Sequence, residues 1–286
     1  MHSCMLSVDV EDWFQVENLK EKISRDSWKD RELRVEGNVD RLLRRFSDYH
    51  VKATFFILGW IAKRCPALIK RIAQQGHEIA SHGQNHSLLS ELSPEDFYKD
   101  IVASKDLLED LTGQQVYGFR APSFSITDWA IPPLKKAGFL YDSSFFHNPY
   151  NKRYGTLTLP EPATALAHRS GIMAMDDNFY EVALPSLPFL GRLIPWGGGG
   201  YFRLYPLGLF CAGVKRILKE KGDFLFYMHP WEIDPGQPRV TGLKTSYAFR
   251  HYYGLADTEK KLTGLLGQFP FVPIHTALEE RRERGL

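Results

Sequence analysis

Hydrophobic segments of two different periods alternate along the 286-residue chain. Short apolar runs typical of buried strands occupy residues 4–10, 52–60, 77–82, 116–122, 139–144 and 223–233. Apolar positions at helical spacing predict helices over 38–50, 66–76, 93–113, 128–138, 207–222 and 257–269. Ser93 and Pro94 at the start of one helix and Gly113 after it are the usual boundary residues. The repeated strand–helix units predict an α/β fold, a distorted (β/α) barrel with seven or eight strands.

The regular alternation is interrupted between residues 145 and 206. This segment is rich in Pro, Gly and aromatic residues and includes the run "PWGGGGYFRLYP". Since no internal repeat or low-complexity segment is present, we expect one domain over residues 1–286. That domain would have an irregular insertion around 145–206 and a C-terminal extension from about residue 235.

Composition and charge exclude several classes of protein. With 43% hydrophobic residues, 24% charged residues and a net charge of +2, the chain predicts a globular protein with no nucleic-acid partner. The three cysteines, Cys4, Cys65 and Cys211, form no CxxC motif, which argues against a disulfide framework or a cysteine-based zinc site. No signal peptide and no apolar run long enough for a membrane span are visible, so we expect a cytoplasmic protein. The sequence leaves the oligomeric state undetermined.

Ionisable side chains follow the ends of several predicted strands. In a parallel barrel these ends meet at one rim, where functional groups lie. Taken singly, each residue has a structural explanation as a turn former, a helix cap, an ion-pair partner or a core histidine. All of these explanations would have to hold at the same rim for no site to exist there. The residues concerned are Asp9, Glu11, Asp12, His82, His86, Arg120, Asp142, His229 and Glu232.

The spacing of His82 and His86 indicates a metal site. If the chain becomes helical after the third strand, residues four apart lie on one face and can share an ion. A carboxylate from the first strand would complete a site with two histidines and one carboxylate, leaving positions open for water and substrate. Such a mixed set suits one divalent metal ion, with Zn²⁺ favoured and Co²⁺, Ni²⁺ or Mn²⁺ also compatible.

Four motifs in this order resemble those of the polysaccharide deacetylases, the NodB-homology group also called carbohydrate esterase family 4. They are "SVDVEDW", "SHGQNH", "FRAPSFS" and "FYMHP", spread over about residues 5–235. Gly83 stands where the family's H-[ST]-x-x-H motif has Ser or Thr. Together with "GGGGYFRLYP" and "FRHYYGL", the chain looks most like the exosortase-associated (PEP-CTERM) exopolysaccharide deacetylases.

The resemblance implies metal-dependent hydrolysis of N-acetyl groups from amino sugars of a polysaccharide or its biosynthetic intermediate. It assigns the general base to Asp9 and the metal to His82, His86 and a carboxylate. The family commonly has two adjacent aspartates where this chain has Asp-Val-Glu-Asp, so the carboxylate is either Asp12, which we favour, or Glu11.

The remaining roles follow from the same resemblance and from the needs of the reaction. Arg120 would hold Asp9 ionised, and His229 would donate a proton to the departing nitrogen. Asp142 would orient His229 or keep it charged.

Several further residues are candidates for contact with an N-acetylated oligo- or polysaccharide. They are Trp13, Pro122, Tyr201 and Trp231. The aromatic members of this set either stack on sugar rings or close the mouth of the barrel as core.

Two other functions remain open from the sequence. One is a metal-independent amidohydrolase of the allantoinase-like kind, which retention of both His82 and His86 argues against. The other is a non-catalytic carbohydrate-binding barrel, which predicts loss of the acid and base. Asp9 and His229 are both present.

Overall fold

In the computed structural model, described over residues 3–146, 154–159, 171–189 and 192–284, the centre of the fold is a curled, mostly parallel sheet. The strands are β1 (Cys4–Val10), β2 (Thr54–Ile57), β3 (Glu78–Ser81), β4 (Gly118–Phe119), β5 (Tyr141–Asp142), β6 (Gly171–Asp176), β7 (Phe179–Ala183), β8 (Ser186–Phe189), β9 (Arg192–Pro195), β10 (Phe224–Met228) and β11 (Phe271–Val272). The main sheet runs β10-β1-β2-β3-β4-β5-β7-β6, and β11 also pairs with β1. The predicted distorted α/β barrel is confirmed.

Helices cover the outside of this sheet. They are α1 (Val35–Asp48), α2 (Gly59–Arg64), α3 (Pro66–Gln74), α4 (Pro94–Thr112), α5 (Ile131–Lys136), α6 (Gly199–Leu204), α7 (Leu207–Lys221), α8 (Thr245–Tyr252), α9 (Leu255–Leu266) and α10 (Ile274–Glu283). The longest, α4, begins as the sequence predicts, because the Ser93 hydroxyl accepts the Asp96 N–H at 3.1 Å. It ends at Gly113, whose φ of 67° is left-handed. None of the helices in the described ranges has the length and apolar composition that a membrane span requires.

Strand β1 is an interior strand of the sheet with neighbours on both sides, which explains its apolar sequence. All seven of its residues are buried, and it pairs in parallel with β2, β10 and β11. Its carboxyl end is therefore surrounded by the ends of other strands. The residues that follow β1 therefore lie at this rim.

The segment 145–206, whose sequence shows little periodicity, contains regular structure in its described parts. An antiparallel hairpin of β6 and β7 extends the main sheet, and β8 and β9 form a second, two-stranded sheet. These strands are short and irregularly spaced, so their alternation is too brief to be recognised in the sequence.

The glycine run after β9 joins the second sheet to β10. Trp196 donates its N–H to Pro185 O at 2.9 Å, and Tyr227 donates to Gly197 O at 2.8 Å. Gly198 has a φ of 138°, and a Cβ atom there would lie 2.0 Å from Tyr227 O. Only glycine allows the two backbones to approach this closely. These contacts bridge the gap between β10 and the chain that follows β7.

Candidate active site

Three buried side chains form a carboxylate–histidine cluster at the carboxyl ends of β1 and β3. The Glu11 Oε1 atom lies 3.0 Å from His82 Nε2 and 2.8 Å from His86 Nε2. Within the described residues this is the group whose ligand atoms lie close enough together to hold one metal ion. Two imidazole nitrogens and a carboxylate oxygen are ligands that Zn²⁺ and similar ions use.

The contacts of the two His82 ring nitrogens are those expected around a bound cation. Nδ1 lies 2.8 Å from Arg120 O, and since a carbonyl only accepts, Nδ1 carries the hydrogen. The Nε2 lone pair of neutral His82 then faces Glu11 Oε1, so two acceptors lie 3.0 Å apart. A proton or a metal ion between them removes this conflict. A hydrogen bond from the distal ring nitrogen to a carbonyl is also the usual support of a metal-binding histidine.

The backbone around the two histidines is held in left-handed conformations. His86 has a φ of 54°, which is uncommon for a residue other than glycine and is typical of functional sites. Gly83 has a φ of 74°, and a Cβ atom there would lie 2.9 Å from Asp100 Oδ2. This geometry explains why the chain has Gly83 where the resembled motif has Ser or Thr.

The charge of Glu11 depends on its histidine neighbours. Burial alone would raise the pKa of its carboxyl, but His86 and His82 lower this pKa well below its usual value. The group is therefore held as a carboxylate, the form that binds metal.

The preference for Asp12 as the metal-binding carboxylate has to be corrected. Asp12 Oδ2 accepts the N–H groups of Arg34 at 2.7 Å and Val35 at 2.9 Å, and Oδ1 accepts that of Trp13 at 2.8 Å. Burial raises the pKa of Asp12 to about 6, although these hydrogen bonds lower it. The carboxylate is thus occupied by the first turn of α1, and the alternative, Glu11, lies beside the histidines.

Asp9 and Arg120 form a buried ion pair next to the cluster. Arg120 Nη1 lies 2.5 Å from Asp9 Oδ1 and 2.9 Å from Ser7 Oγ. The guanidinium also donates to Ser143 O at 2.8 Å and to Ser143 Oγ at 2.9 Å. Arg120 is fully buried, so its many partners fix the position of the Asp9 carboxylate.

His229 lies at the end of β10, opposite Asp9. Its Nε2 is 3.9 Å from Asp9 Oδ2, and its Nδ1 is 2.8 Å from Glu232 Oε1. Burial would lower the pKa of His229, but the hydrogen bond to Glu232 and the nearby carboxylates raise it to about 9. At neutral pH the imidazolium is therefore present with Nε2–H available as a donor.

The second carboxylate oxygen of Glu232 is paired with a buried arginine. Arg203 Nε donates to Glu232 Oε2 at 2.8 Å, and its other N–H groups donate to the carbonyls of Arg250, His251 and Tyr253 at 2.7–2.9 Å. Burial would raise the pKa of Glu232, but Arg203 and His229 lower it. Neither Glu232 nor Arg203 was given a role from the sequence, although the i, i+3 spacing of Glu232 from His229 was a usable signal.

Asp142 does not contact His229, contrary to expectation. It lies beside Glu181, its register partner on β7, and its Oδ1 accepts the Ser144 hydroxyl at 2.7 Å. Burial raises the pKa of Asp142 to about 6, and burial together with the Asp142 charge raises that of Glu181 well above its usual value. No local sequence pattern points to Glu181. The pair lies behind Ser143 and Ser144, and Glu232 occupies the place expected for Asp142.

The aromatic candidates are mostly buried. Trp13 is packed in the core with its Nε1 donating to Glu32 O at 3.1 Å. Trp231 is 5% exposed, because its ring is stacked between those of His229, at 5.3 Å, and His251, at 4.5 Å. Trp231 thus holds the ring of His229 in place.

Two further candidates lie elsewhere. Pro122 begins a buried turn over Pro122–Phe124, close behind Arg120 in the chain. Tyr201 is 37% exposed on α6, and its ring lies 6.1 Å from that of Tyr205.

Comparison with known proteins gives a consistent family. Residues 26–141 match the polysaccharide deacetylase family, and residues 143–279 match a domain of unknown function, DUF3473. A peptidoglycan deacetylase of Helicobacter pylori is 32% identical over 119 residues, which are 42% of this chain and 41% of that protein. A peptidoglycan deacetylase-like protein of Gibberella zeae is 39% identical over 234 residues, 75% of this chain and 64% of that protein. The chain thus spans less than half the length of the Helicobacter relative.

The fold has a matching solved structure. A Mycobacterium smegmatis protein provisionally described as a polysaccharide deacetylase aligns over 100% of this chain and 92% of its own, with a TM-score of 0.63 and 20% identity. The family model over residues 26–141 and the curated relatives therefore support the polysaccharide deacetylase family for this chain, and the solved structure supports its fold.

Proposed function

We propose that the protein is a metal-dependent deacetylase that hydrolyses N-acetyl groups of amino sugars in an exopolysaccharide or its biosynthetic intermediate. One observation carries the proposal: an acid–base pair, Asp9 and His229, flanks a cluster with the composition of a metal site. The relatives named as deacetylases support a hydrolase of this class. The exopolysaccharide substrate rests on the sequence motifs alone.

The donor set fits a divalent metal ion, with Zn²⁺ the ion that we propose. Glu11, His82 and His86 would hold it, and the hydrogen bond from His82 Nδ1 to Arg120 O would orient one ligand. When bound, such an ion polarises the acetyl carbonyl and lowers the pKa of a bound water.

Asp9 and His229, which lie beside the cluster, would each carry out one of the two proton transfers in the reaction. Asp9, fixed by Arg120, accepts the proton of the attacking water. His229 donates its Nε2 proton to the leaving nitrogen. Without this proton the sugar amine would have to leave as a strongly basic anion. Glu232 keeps His229 charged and aligned through Nδ1. An ionised carboxylate and a protonated imidazole whose nearest atoms are 3.9 Å apart provide both halves of the reaction.

The chemistry of the site argues against the two rival functions. A metal-independent amidohydrolase does not require two buried histidines that both contact one carboxylate oxygen. A carbohydrate-binding barrel has no use for a buried Asp9–Arg120 pair facing a charged His229.

The proposal is tested by metal content and acetate release. We expect about one divalent ion per chain, and release of acetate from N-acetylated amino-sugar oligosaccharides that stops on chelation and returns with Zn²⁺. His229→Ala should keep the metal and lose about 10²–10⁴-fold in turnover on the amide. The loss should be smaller on an activated aryl acetate, whose leaving group needs no proton.

Asp9→Asn is the matched control, because it removes the proposed general base and leaves the proposed general acid in place. It should lose activity on both the amide and the aryl acetate, because each needs an activated water. Loss of metal in His229→Ala, or equal losses on the two substrates, would show that His229 is a ligand or a structural residue.

A further inference from the structure

The motif "FRHYYGL" lies in the C-terminal extension, and it directs one buried side chain toward the candidate active site. This side chain is His251, in the last turn of α8. The helix is described in full, and His251, at 1% exposed, is its only buried residue. The other residues of α8 are half-buried or exposed. The helix thus contributes to the interior of the molecule through a single side chain.

Three rings form a stack that begins at His229 and ends at His251. The ring of Trp231 lies 5.3 Å from that of His229, at an angle of 27°, and 4.5 Å from that of His251, at an angle of 16°. We call these three residues the ring stack. Because the interior is closely packed, the Trp231 ring cannot tilt away from His229 without displacing the buried ring of His251.

The orientation of His229 needs more than its hydrogen bond to Glu232. Glu232 Oε1 lies 2.8 Å from the Nδ1 atom, and this single contact still allows the ring to tilt about it. A flat aromatic face against the imidazolium restricts the tilt, and its π electrons attract the positive charge. The direction of the Nε2–H bond is therefore set by two contacts, Glu232 at Nδ1 and Trp231 at the face of the ring.

The hydrogen bonds of Gln237 fix the outer ring of the stack. Its Nε2 donates to Trp231 O at 2.9 Å and to Asp234 O at 3.0 Å. The amide oxygen Oε1 is then left to accept from His251 Nε2 at 2.7 Å. His251 is thus joined to Trp231 twice, through the face of its ring and, by way of Gln237, through the Trp231 carbonyl.

His251 is held in its neutral form. Burial and the nearby charge of Arg203 lower the pKa of His251 to about 3. Since Nε2–H is directed at Gln237, the Nδ1 atom carries the lone pair, and it has no partner among the described residues. No acceptor is therefore present for a second proton. A neutral ring adds no positive charge near His229, whose imidazolium form the mechanism requires.

We propose that His251 is a positioning residue of the deacetylation reaction. Its ring, acting through Trp231, holds His229 in the orientation from which Nε2 donates its proton to the leaving nitrogen. This inference rests on the proposed function. The C-terminal extension would then contribute to the proton transfer without touching the substrate.

The test compares two apolar replacements of His251 in the full chain. His251→Leu and His251→Phe both lose the hydrogen bond to Gln237, and only His251→Phe keeps a flat ring against Trp231. On an N-acetylated amino-sugar oligosaccharide, His251→Leu should lower kcat about 10- to 100-fold with KM unchanged, because a misdirected donor affects the leaving group and not substrate binding. His251→Phe should keep most of the wild-type kcat. Both variants should retain turnover of an activated aryl acetate, whose leaving group needs no proton.

His77→Leu is the matched control, since His77 is also a buried histidine, 3% exposed, beside the rings of Phe46 and Phe55. It precedes β3, at the end of the strand opposite to His82. The ratio of amide to aryl acetate turnover should stay unchanged in this variant. Equal losses on the two substrates in His251→Leu, an unchanged kcat on the amide, or a His251→Phe as slow as His251→Leu overturns the positioning role and leaves the deacetylase function standing.

Failure of the proposed function gives a different result, because the wild type then releases no acetate from the oligosaccharide. Crystal structures of the wild type and of His251→Leu decide the ring stack in that case. A changed angle between the His229 and Trp231 rings, with Trp231 moved toward position 251, supports the positioning role. Unchanged rings in His251→Leu overturn it.

Discussion

At the scale of single residues, two adjacent carboxylates have opposite roles. Glu11 faces His82 and His86, whereas Asp12 accepts three backbone N–H groups at the start of α1. The difference arises because successive side chains leave the end of β1 in different directions, and only one direction leads to the histidines. The proposed metal ligand and the residue that caps α1 are thus adjacent in the chain.

This separation predicts different losses for two isosteric substitutions. Glu11→Gln should lose the metal and stay folded, because it removes the anionic ligand. Asp12→Asn should keep the metal and lower the free energy of unfolding by about 1 kcal/mol, the usual effect of a weakened cap. Metal analysis and urea denaturation measure the two effects. Metal loss in Asp12→Asn with retention in Glu11→Gln would return the ligand role to Asp12.

At the scale of elements, the contact between β5 and β7 contains a buried pair of carboxyl groups. Asp142 and Glu181 are opposite each other in the sheet, and Glu181 Oε1 accepts the N–H groups of Ser144 at 3.1 Å and Phe145 at 2.8 Å. Asp142 and Ser144 flank Ser143 in the chain, and the Ser143 carbonyl accepts a hydrogen bond from Arg120. The pair therefore fixes the loop that positions Arg120, and it does so best while it keeps a proton.

Ionisation of this pair should destabilise the fold at high pH. Both folded-state pKa values lie above their unfolded values, that of Asp142 at about 6. The stabilising contribution is therefore complete below pH 4 and is lost as the pH rises through 6, at about 1.4 kcal/mol per unit of pKa shift. Glu181→Gln imitates the protonated form, so its free energy of unfolding should fall less between pH 5 and pH 8 than that of the wild type.

Urea denaturation at the two pH values measures this difference. Glu220→Gln, at an exposed position of α7, is the control and should follow the wild type. If the Glu181→Gln curve also runs parallel to the wild type, the pair does not share a proton in the folded state.

At the scale of the whole molecule, Arg203 ties two distant segments, α6 and the end of α8, to Glu232 in the candidate active site. It is 3% exposed, lies on α6, and joins Glu232 after β10 to the last carbonyls of α8 and the residue after it. All of these residues belong to the region that matches DUF3473, whereas the metal-site cluster precedes it. The two halves of the chain each supply one part of the candidate active site.

Removing the Arg203 side chain should lower the free energy of unfolding. Arg203→Ala removes the guanidinium partner of the buried Glu232 Oε2 and the donors of three backbone carbonyls, so we expect a loss of about 3–5 kcal/mol in the free energy of unfolding. Arg216→Ala, which breaks an exposed pair with Glu220 on α7, should cost at most about 1 kcal/mol. Chemical denaturation of both variants compares them. Equal, small losses would mean that water replaces Arg203 and that the network does not stabilise the fold.

The sequence by itself determined the elements that local patterns specify. The apolar period of β1 and the boundaries of α4 are visible in residues 4–10 and 93–113, because burial and capping there depend on neighbours in the chain. Since parallel strands end at one rim, the sequence was also sufficient to predict that Asp9, His82 and His229 lie in one candidate site.

Only the tertiary structure decided how the side chains at that rim are paired. Asp12 is occupied by N–H groups that lie 22 and 23 residues further along the chain, so its loss as a ligand has no local signal. Asp142 was expected beside His229, but the partner that meets it is Glu181 on β7, and Glu232 takes its place. Hydrogen bonding of buried charges depends on which strands become neighbours, and that contact is made in three dimensions.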